Sequence, residues 1–352
     1  MTHHERRLPR YLACAYVLLT IYACLYPFSG WRDPGADLLS FLRAPWPRYS
    51  AWTDLWLNML GYLPLGFTLA ASLRRMAPAV WVITITTVFC LLFSGTLETL
   101  QSFLPARVAS NVDLATNTLG GLFGALAGLY WGSIFDDGGL LYRWRRHRIL
   151  PGHIGEMGLL IVALWWLSQL EPTSTLFATG DMRPLFELPA AIAYSAKRFV
   201  LIETMIVAMN VLAVGLLLQR CMREPSGFLV LVVLLVGLAV RSLADYVFIV
   251  PADPWQWATP GALRGLLAGT VALIVAWRLP GWLQHSLACM ALLICTALVN
   301  IAPENPFELT SMRLVHESHF LNFQGLTRLS DFVWPFLAIL YLTANAALTH
   351  RR

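Results

Sequence analysis

The 352-residue chain is 57% hydrophobic and only 13% charged, with a formal net charge of +5. Soluble globular chains carry about 25% charged residues, so these values exclude a water-soluble enzyme or binding module. They also remove nucleic acid as the reason for the positive charge, because the Arg residues are scattered among short connections rather than gathered on one face.

Apolar runs long enough to cross about 30 Å of hydrocarbon recur along the whole length, roughly ten in all. They centre on 11–28, 54–73, 78–98, 113–134, 153–170, 198–219, 226–248, 261–278, 283–301 and 331–348. The expectation is an all-α, polytopic helical membrane protein. The first run follows Arg6, Arg7 and Arg10 without a clear small-residue cleavage site, so it reads as a retained helix rather than a signal peptide.

Alternate connections hold Arg6/Arg7/Arg10, Arg74/Arg75, Arg143/Arg145/Arg146/Arg148, Arg220/Arg223, Arg278 and Arg351/Arg352, fourteen basic residues against nine in the others. The positive-inside bias then places both termini in the cytoplasm. Three regions follow: a four-helix region over 1–135, a basic cytoplasmic linker over 136–152, and a six-helix region over 153–352 with outer connections at 171–197 and 301–330. The linker fits either topology-setting or contact with anionic lipid. Within the first outer connection, 185–196 reads as a short interfacial helix. The second is polar and includes His316-Glu317-Ser318-His319, whose i, i+3 spacing lacks further metal ligands.

An internal repeat is visible in outline. Asn58 precedes Arg75 by the same interval as Glu203 precedes Arg220, and the ladder Gly120, Gly124, Gly128 has a counterpart in Gly261, Gly265, Gly269. Small residues every four positions let helices approach closely in lipid. The six cysteines show neither metal spacing nor an outer disulfide framework, and no cofactor motif is present.

The most informative stretch lies between the third and fourth runs: Glu98 and Gln101, then Arg107, Ser110, Asp113 and Asn117, then Gly120-Gly121. Glu98 and Gln101 share one helix face at i, i+3, and Asp113 and Asn117 share another at i, i+4. Asn58 falls at a similar depth in the second run. Charge beside hydrocarbon costs several kcal/mol unless paired or wet, which makes this cluster a functional candidate. Arg107 fits a structural ion pair with Glu98 or Asp113, and fits equally an anionic ligand, since its fork matches phosphate or carboxylate. Glu98 and Asp113 are the candidate general acid and base. Asp113 is also placed to cap the fourth helix. Glu203, Arg241, Asp245 and Arg264 form a second charge cluster, with Arg241 and Asp245 spaced for an i, i+4 salt bridge.

Asn58, Pro64-Leu65-Gly66, Glu98, Gln101, Arg107, Ser110, Asp113, Asn117 and Gly120-Gly121, over residues 54–130, resemble the VanZ-like membrane protein family. The segment His319 to Gly325 is similar to the tail of its longer members. The resemblance implies a multi-pass protein of the bacterial cytoplasmic membrane and a cell-envelope role, in teicoplanin resistance or in polysaccharide biosynthesis. It supplies no settled mechanism. With it, Glu98 and Asp113 become candidate catalytic or orienting groups, and Asn58, Gln101, Arg107, Ser110 and Asn117 candidate substrate ligands. The expected partners are membrane lipids or a lipid-linked saccharide at the outer leaflet. A transporter or flippase, and a non-catalytic assembly partner, are the rival readings.

Overall fold

In the computed structural model the described residues are 8–26, 28–33, 35, 38–46, 52–105, 107–135, 139–171, 174–186, 191–248, 253–303 and 324–349. Among them the regular secondary structure is helix, with one isolated β-bridge between Ile149 and Met222. Residues 304–323, which include the His316–His319 motif, lie outside the described residues.

The helices are α1 (Leu8–Leu25), α2 (Ser40–Arg43), α3 (Trp52–Leu73), α4 (Ala79–Gln101), α5 (Asn111–Trp131), α6 (Leu140–Arg148), α7 (His153–Ser168), α8 (Arg183–Phe186), α9 (Ala196–Cys221), α10 (Gly227–Phe248), α11 (Pro260–Ala276), α12 (Gly281–Ile301) and α13 (Gln324–Thr349). Five described helical stretches are long and apolar enough to cross a membrane: Ala79–Gln101, Ala196–Cys221, Gly227–Val247, Gly281–Ile301 and Leu326–Leu348. Pro9–Leu25, His153–Ser168 and Pro260–Ala276 are shorter apolar helices. The 23-residue α4 is about 34 Å long at 1.5 Å per residue. Side chains turned away from neighbouring helices are apolar, including Val80, Leu92, Phe228, Leu231 and Leu267. The protein is a multi-pass helical membrane protein. The expected total was about ten spans. α3 and α5 have spanning length at 22 and 21 residues, but Asn58, Pro64, Asn117 and six glycines dilute their hydropathy.

The chain divides into two compact units, Met1–Arg145 and Arg146–Arg352. In the first, α5 packs on α3 through its glycines. A Cβ on Gly120 would strike the Met59 carbonyl oxygen, one on Gly124 the Leu63 carbonyl, and one on Gly128 the Phe67 carbonyl. The two backbones therefore touch, the arrangement small residues permit in lipid. α3 carries Pro64 in its interior, which leaves the Leu60 carbonyl without its helical donor. The next carbonyl, Gly61 O, accepts the Tyr16 hydroxyl of α1 at 2.6 Å.

In the second unit α9 is central: almost every side chain from Ile206 to Gln219 is buried. α11 lies against it through Gly261, Gly265 and Gly269, which face Glu203, Val207 and Val211. The connection after α7 does not stay at the surface. Leu176, Phe177, Ala178, Thr179 and Gly180 are all buried. The helix expected over 185–196 is replaced by the four-residue α8 at one end and by non-helical backbone over 191–195 at the other, with 187–190 outside the described residues.

Candidate functional site

The first unit gathers its polar residues where α4 ends and α5 begins. On α4 the buried positions Thr86, Cys90, Ser94, Leu97 and Glu98 follow a helical stripe, so Glu98 and Ser94 point at the same neighbours. α4 stops at Gln101, four residues before Pro105. Ser102 N donates to Glu98 O and Leu104 N to Gln101 O, which tightens the last turn.

α5 starts with Ser110 as N-cap. Its Oγ accepts the Asp113 backbone N–H at 3.3 Å. Capping was one of the roles open to Asp113, and Ser110 fills it instead. In the usual reciprocal box the acid three residues on would take the cap's own N–H. Here the Ser110 N–H goes to Glu98 Oε2 on α4 at 2.8 Å. Asp113 is turned toward α3, where its Oδ1 accepts Asn58 Nδ2 at 2.8 Å. One turn deeper, Asn117 Nδ2 donates to Ser94 Oγ at 3.0 Å. Glu98 and Asn117 are nearly closed off, at 4% and 6% exposure.

α1 forms the remaining wall. Gln101 Nε2 donates to Cys24 O at 3.1 Å, and Arg107 Nη2 to Tyr26 O at 3.2 Å. The connection after α1 is tied in as well, through Arg32 N to Phe103 O at 2.9 Å. Arg107 lies in the α4–α5 connection, where burial pulls its guanidinium below the ordinary arginine value; a guanidinium remains charged through such a shift. Asn58, Glu98, Gln101, Arg107, Ser110, Asp113 and Asn117 are thus assembled around one turn. Sequence reasoning missed Ser94 and the α1 carbonyls. Ser94 was findable, being four residues before Glu98 on the same face.

The match to known proteins falls on this unit. Residues 13–133 match the family model VanZ/LLP1. This stretch, about a third of the chain, is similar to the VanZ/LLP1 domain. No curated protein and no solved structure matches the chain. The VanZ/LLP1 match begins at α1, well before the 54–130 stretch that carries the sequence resemblance, and α1 supplies the Cys24 and Tyr26 carbonyls that hold Gln101 and Arg107. Its far end, residue 133, lies in the 3-10 turn Gly132–Phe135 that follows α5.

The second charge cluster lies outside the VanZ/LLP1 match. Arg241 and Asp245 make the i, i+4 salt bridge at 2.9 Å, and Arg241 Nη1 also donates to Glu171 O at 2.6 Å. Glu203 Oε1 accepts the Thr259 hydroxyl at 2.6 Å, while Thr259 caps α11 through Ala262 N. Arg264 is exposed on α11. Among the described residues no group of three or more His, Cys, Asp or Glu is arranged to hold a metal ion.

Proposed function

We propose that the VanZ/LLP1 domain recognises an anionic head group of a lipid-linked saccharide or phospholipid at the outer leaflet, and that Arg107 is its anion ligand. The observation that carries this reading is the convergence of polar side chains from α3, α4 and α5 on the turn that presents Arg107. A guanidinium on such a turn offers several donors in fixed geometry to phosphate or carboxylate. Asn58, Gln101, Ser110 and Asn117 supply amide and hydroxyl groups for the polar part of the ligand. Glu98 and Asp113 hold the turn through Ser110 and Asn58. Acid/base chemistry by Glu98 is the narrower version of the same proposal.

The setting is a bacterial cytoplasmic membrane, crossed about ten times with both termini inside, as the distribution of arginines supports. An ancient duplication accounts for the recurrence of one device: Asn58 and the α5 ladder on α3, Glu203 and the α11 ladder on α9. Envelope-polysaccharide and glycopeptide-resistance roles belong to this reading. A non-catalytic assembly role is favoured by one observation, the engagement of both acids with neighbouring helices.

The test compares lipid-linked saccharides and phospholipids, by mass spectrometry, in a deletion strain carrying wild type, Arg107→Gln or Glu98→Gln at matched expression. Head-group recognition expects a species that changes with wild type and not with Arg107→Gln. Loss with Glu98→Gln as well supports chemistry at the carboxylate. Identical profiles for all three sink the proposal in favour of assembly.

A further inference from the structure

The second unit contains irregular backbone at the centre of a helical bundle. Phe177 stands beside the middle of α10, since a Cβ added to Gly237 would meet both Trp165 and Phe177. Phe177 itself has φ +60°, a conformation a bulky residue adopts at a cost of about 1–3 kcal/mol. Gly180 follows with φ +87°, packed where a methyl would press on Pro335 and Thr296. In a membrane such non-helical chain survives only where protein buries it or where it lines a polar site.

The surroundings of this segment hold four acids. Asp181 pairs with Arg183 at 2.7 Å, Asp245 with Arg241 at 2.9 Å, and Glu171 lies 3.9 Å from Arg328. Asp331 on α13 has no such partner among the described residues. Its main-chain oxygen accepts Gly180 N and its Oδ2 a long bond from Asp181 N at 3.4 Å. Asp331 Oδ1 is buried with no hydrogen bond, and so are Thr179 Oγ1 and Asn210 Oδ1. All three residues are at most 5% exposed. They are neighbours around Cys295: Asn210 Nδ2 donates to its Sγ at 2.6 Å, and the Thr179 backbone and the Asp331 charge both act on the thiol.

We propose that Asp331, Thr179 and Asn210, with the carbonyls of the buried segment, bind a monovalent cation of sodium's chemistry inside the second unit. Arg241 acts on Asp331 only at longer range, its salt bridge being with Asp245, and one carboxylate among neutral oxygens suits a single positive charge. A carboxylate, a hydroxyl and an amide oxygen are hard donors suited to a hard cation rather than a transition metal. Unwound backbone beside intact helices is how helical membrane proteins bring carbonyl oxygens to an ion. The site is separate from the Glu98–Asn117 cluster and independent of what that cluster binds.

The experiment uses the full chain in nanodiscs, with choline chloride replaced by NaCl or KCl at constant ionic strength. Thermal unfolding and tryptophan fluorescence are followed, the latter through Trp165, whose ring lies 5.0 Å from that of Phe177. A ligand that binds only the folded state raises the unfolding temperature by mass action. The expected result is a saturable rise with sodium and a smaller one with potassium. Asp331→Asn abolishes it, and Thr179→Ala weakens sodium affinity about tenfold or more, the scale for losing one group at an ion site. If Asp331→Asn does not assemble, Thr179→Ala decides. Equal melting in sodium and choline, or a sodium response unchanged in Thr179→Ala, overturns the proposal. So does an Asp331→Asn protein that melts higher than wild type and ignores all cations, because a proton is then the occupant.

Discussion

Glu98 on α4 closes the N-terminus of α5 by accepting the Ser110 backbone N–H at 2.8 Å. The cap is therefore split between two helices. Ser110 supplies the hydroxyl for Asp113 N, and Glu98 supplies the carboxylate that a single helix would place at its third residue. The consequence is that Asp113, released from local capping, is available to Asn58 across the α3–α5 contact.

Replacing Ser110 with Ala removes the cap hydroxyl but leaves the N–H held by Glu98. The expected loss is about 1 kcal/mol, the ordinary value for a cap. Glu98→Ala strands the part-buried Ser110 N–H and is expected to cost about 1–3 kcal/mol, while Glu98→Gln keeps an acceptor oxygen and costs less than Glu98→Ala. Denaturant unfolding in detergent ranks the three; Glu98→Gln falling with Glu98→Ala would show that the charge itself holds the turn.

Asn58 and Asp113 offer a swap. Asn58→Asp sets two carboxylates against each other at a contact of 2.8 Å and is expected to destabilise the first unit. Adding Asp113→Asn restores an amide–carboxylate hydrogen bond with the roles exchanged, and stability should return in large part. A double variant that is stable yet inactive in the lipid comparison would assign the acid on α5 a role beyond packing.

Gly120 and Gly124 should not tolerate a side chain. A methyl on either meets backbone of α3 rather than a flexible side chain, so Gly120→Ala and Gly124→Ala are each expected to cost about 1–3 kcal/mol or more by overpacking. Gly61 on α3 has open space where its Cβ would lie, and Gly61→Ala should be neutral or stabilising by up to about 1 kcal/mol from helix propensity. Unfolding midpoints of the three variants check the contrast.

These contrasts also mark where the sequence was legible. Glu98, Gln101, Asp113, Asn117 and the glycine ladder follow the helical period, which fixes the face each occupies before any packing is known. Position along the period does not say which partner a group takes. Ser110 caps α5 with its hydroxyl while its own N–H goes to Glu98 on another helix, which leaves Asp113 for Asn58. The buried segment 176–180 read as an outer connection because its neighbours are polar and proline-rich. Its burial depends on Phe177 meeting Trp165, a tertiary contact with no local signature. Glu203 and Arg264 read as members of one cluster by depth alone, yet Glu203 faces Thr259 and Arg264 faces outward.

Arg241 carries the last prediction, because it joins two interactions that the i, i+4 spacing shows only in part. It pairs with Asp245 and also holds the Glu171 carbonyl at the start of the buried connection. Breaking a buried pair by removing one member costs about 3–5 kcal/mol, whereas replacing both by apolar groups is often near neutral. Arg241→Met should therefore be strongly destabilising, and Arg241→Met with Asp245→Leu should recover only part of the loss. The remainder belongs to the Glu171 carbonyl and to Trp257 N, which donates to Asp245 Oδ2 at 3.1 Å. A double-mutant cycle on unfolding free energies measures the split. Full recovery in the double variant would show that the salt bridge alone, and not the anchoring of the connection, is what Arg241 provides.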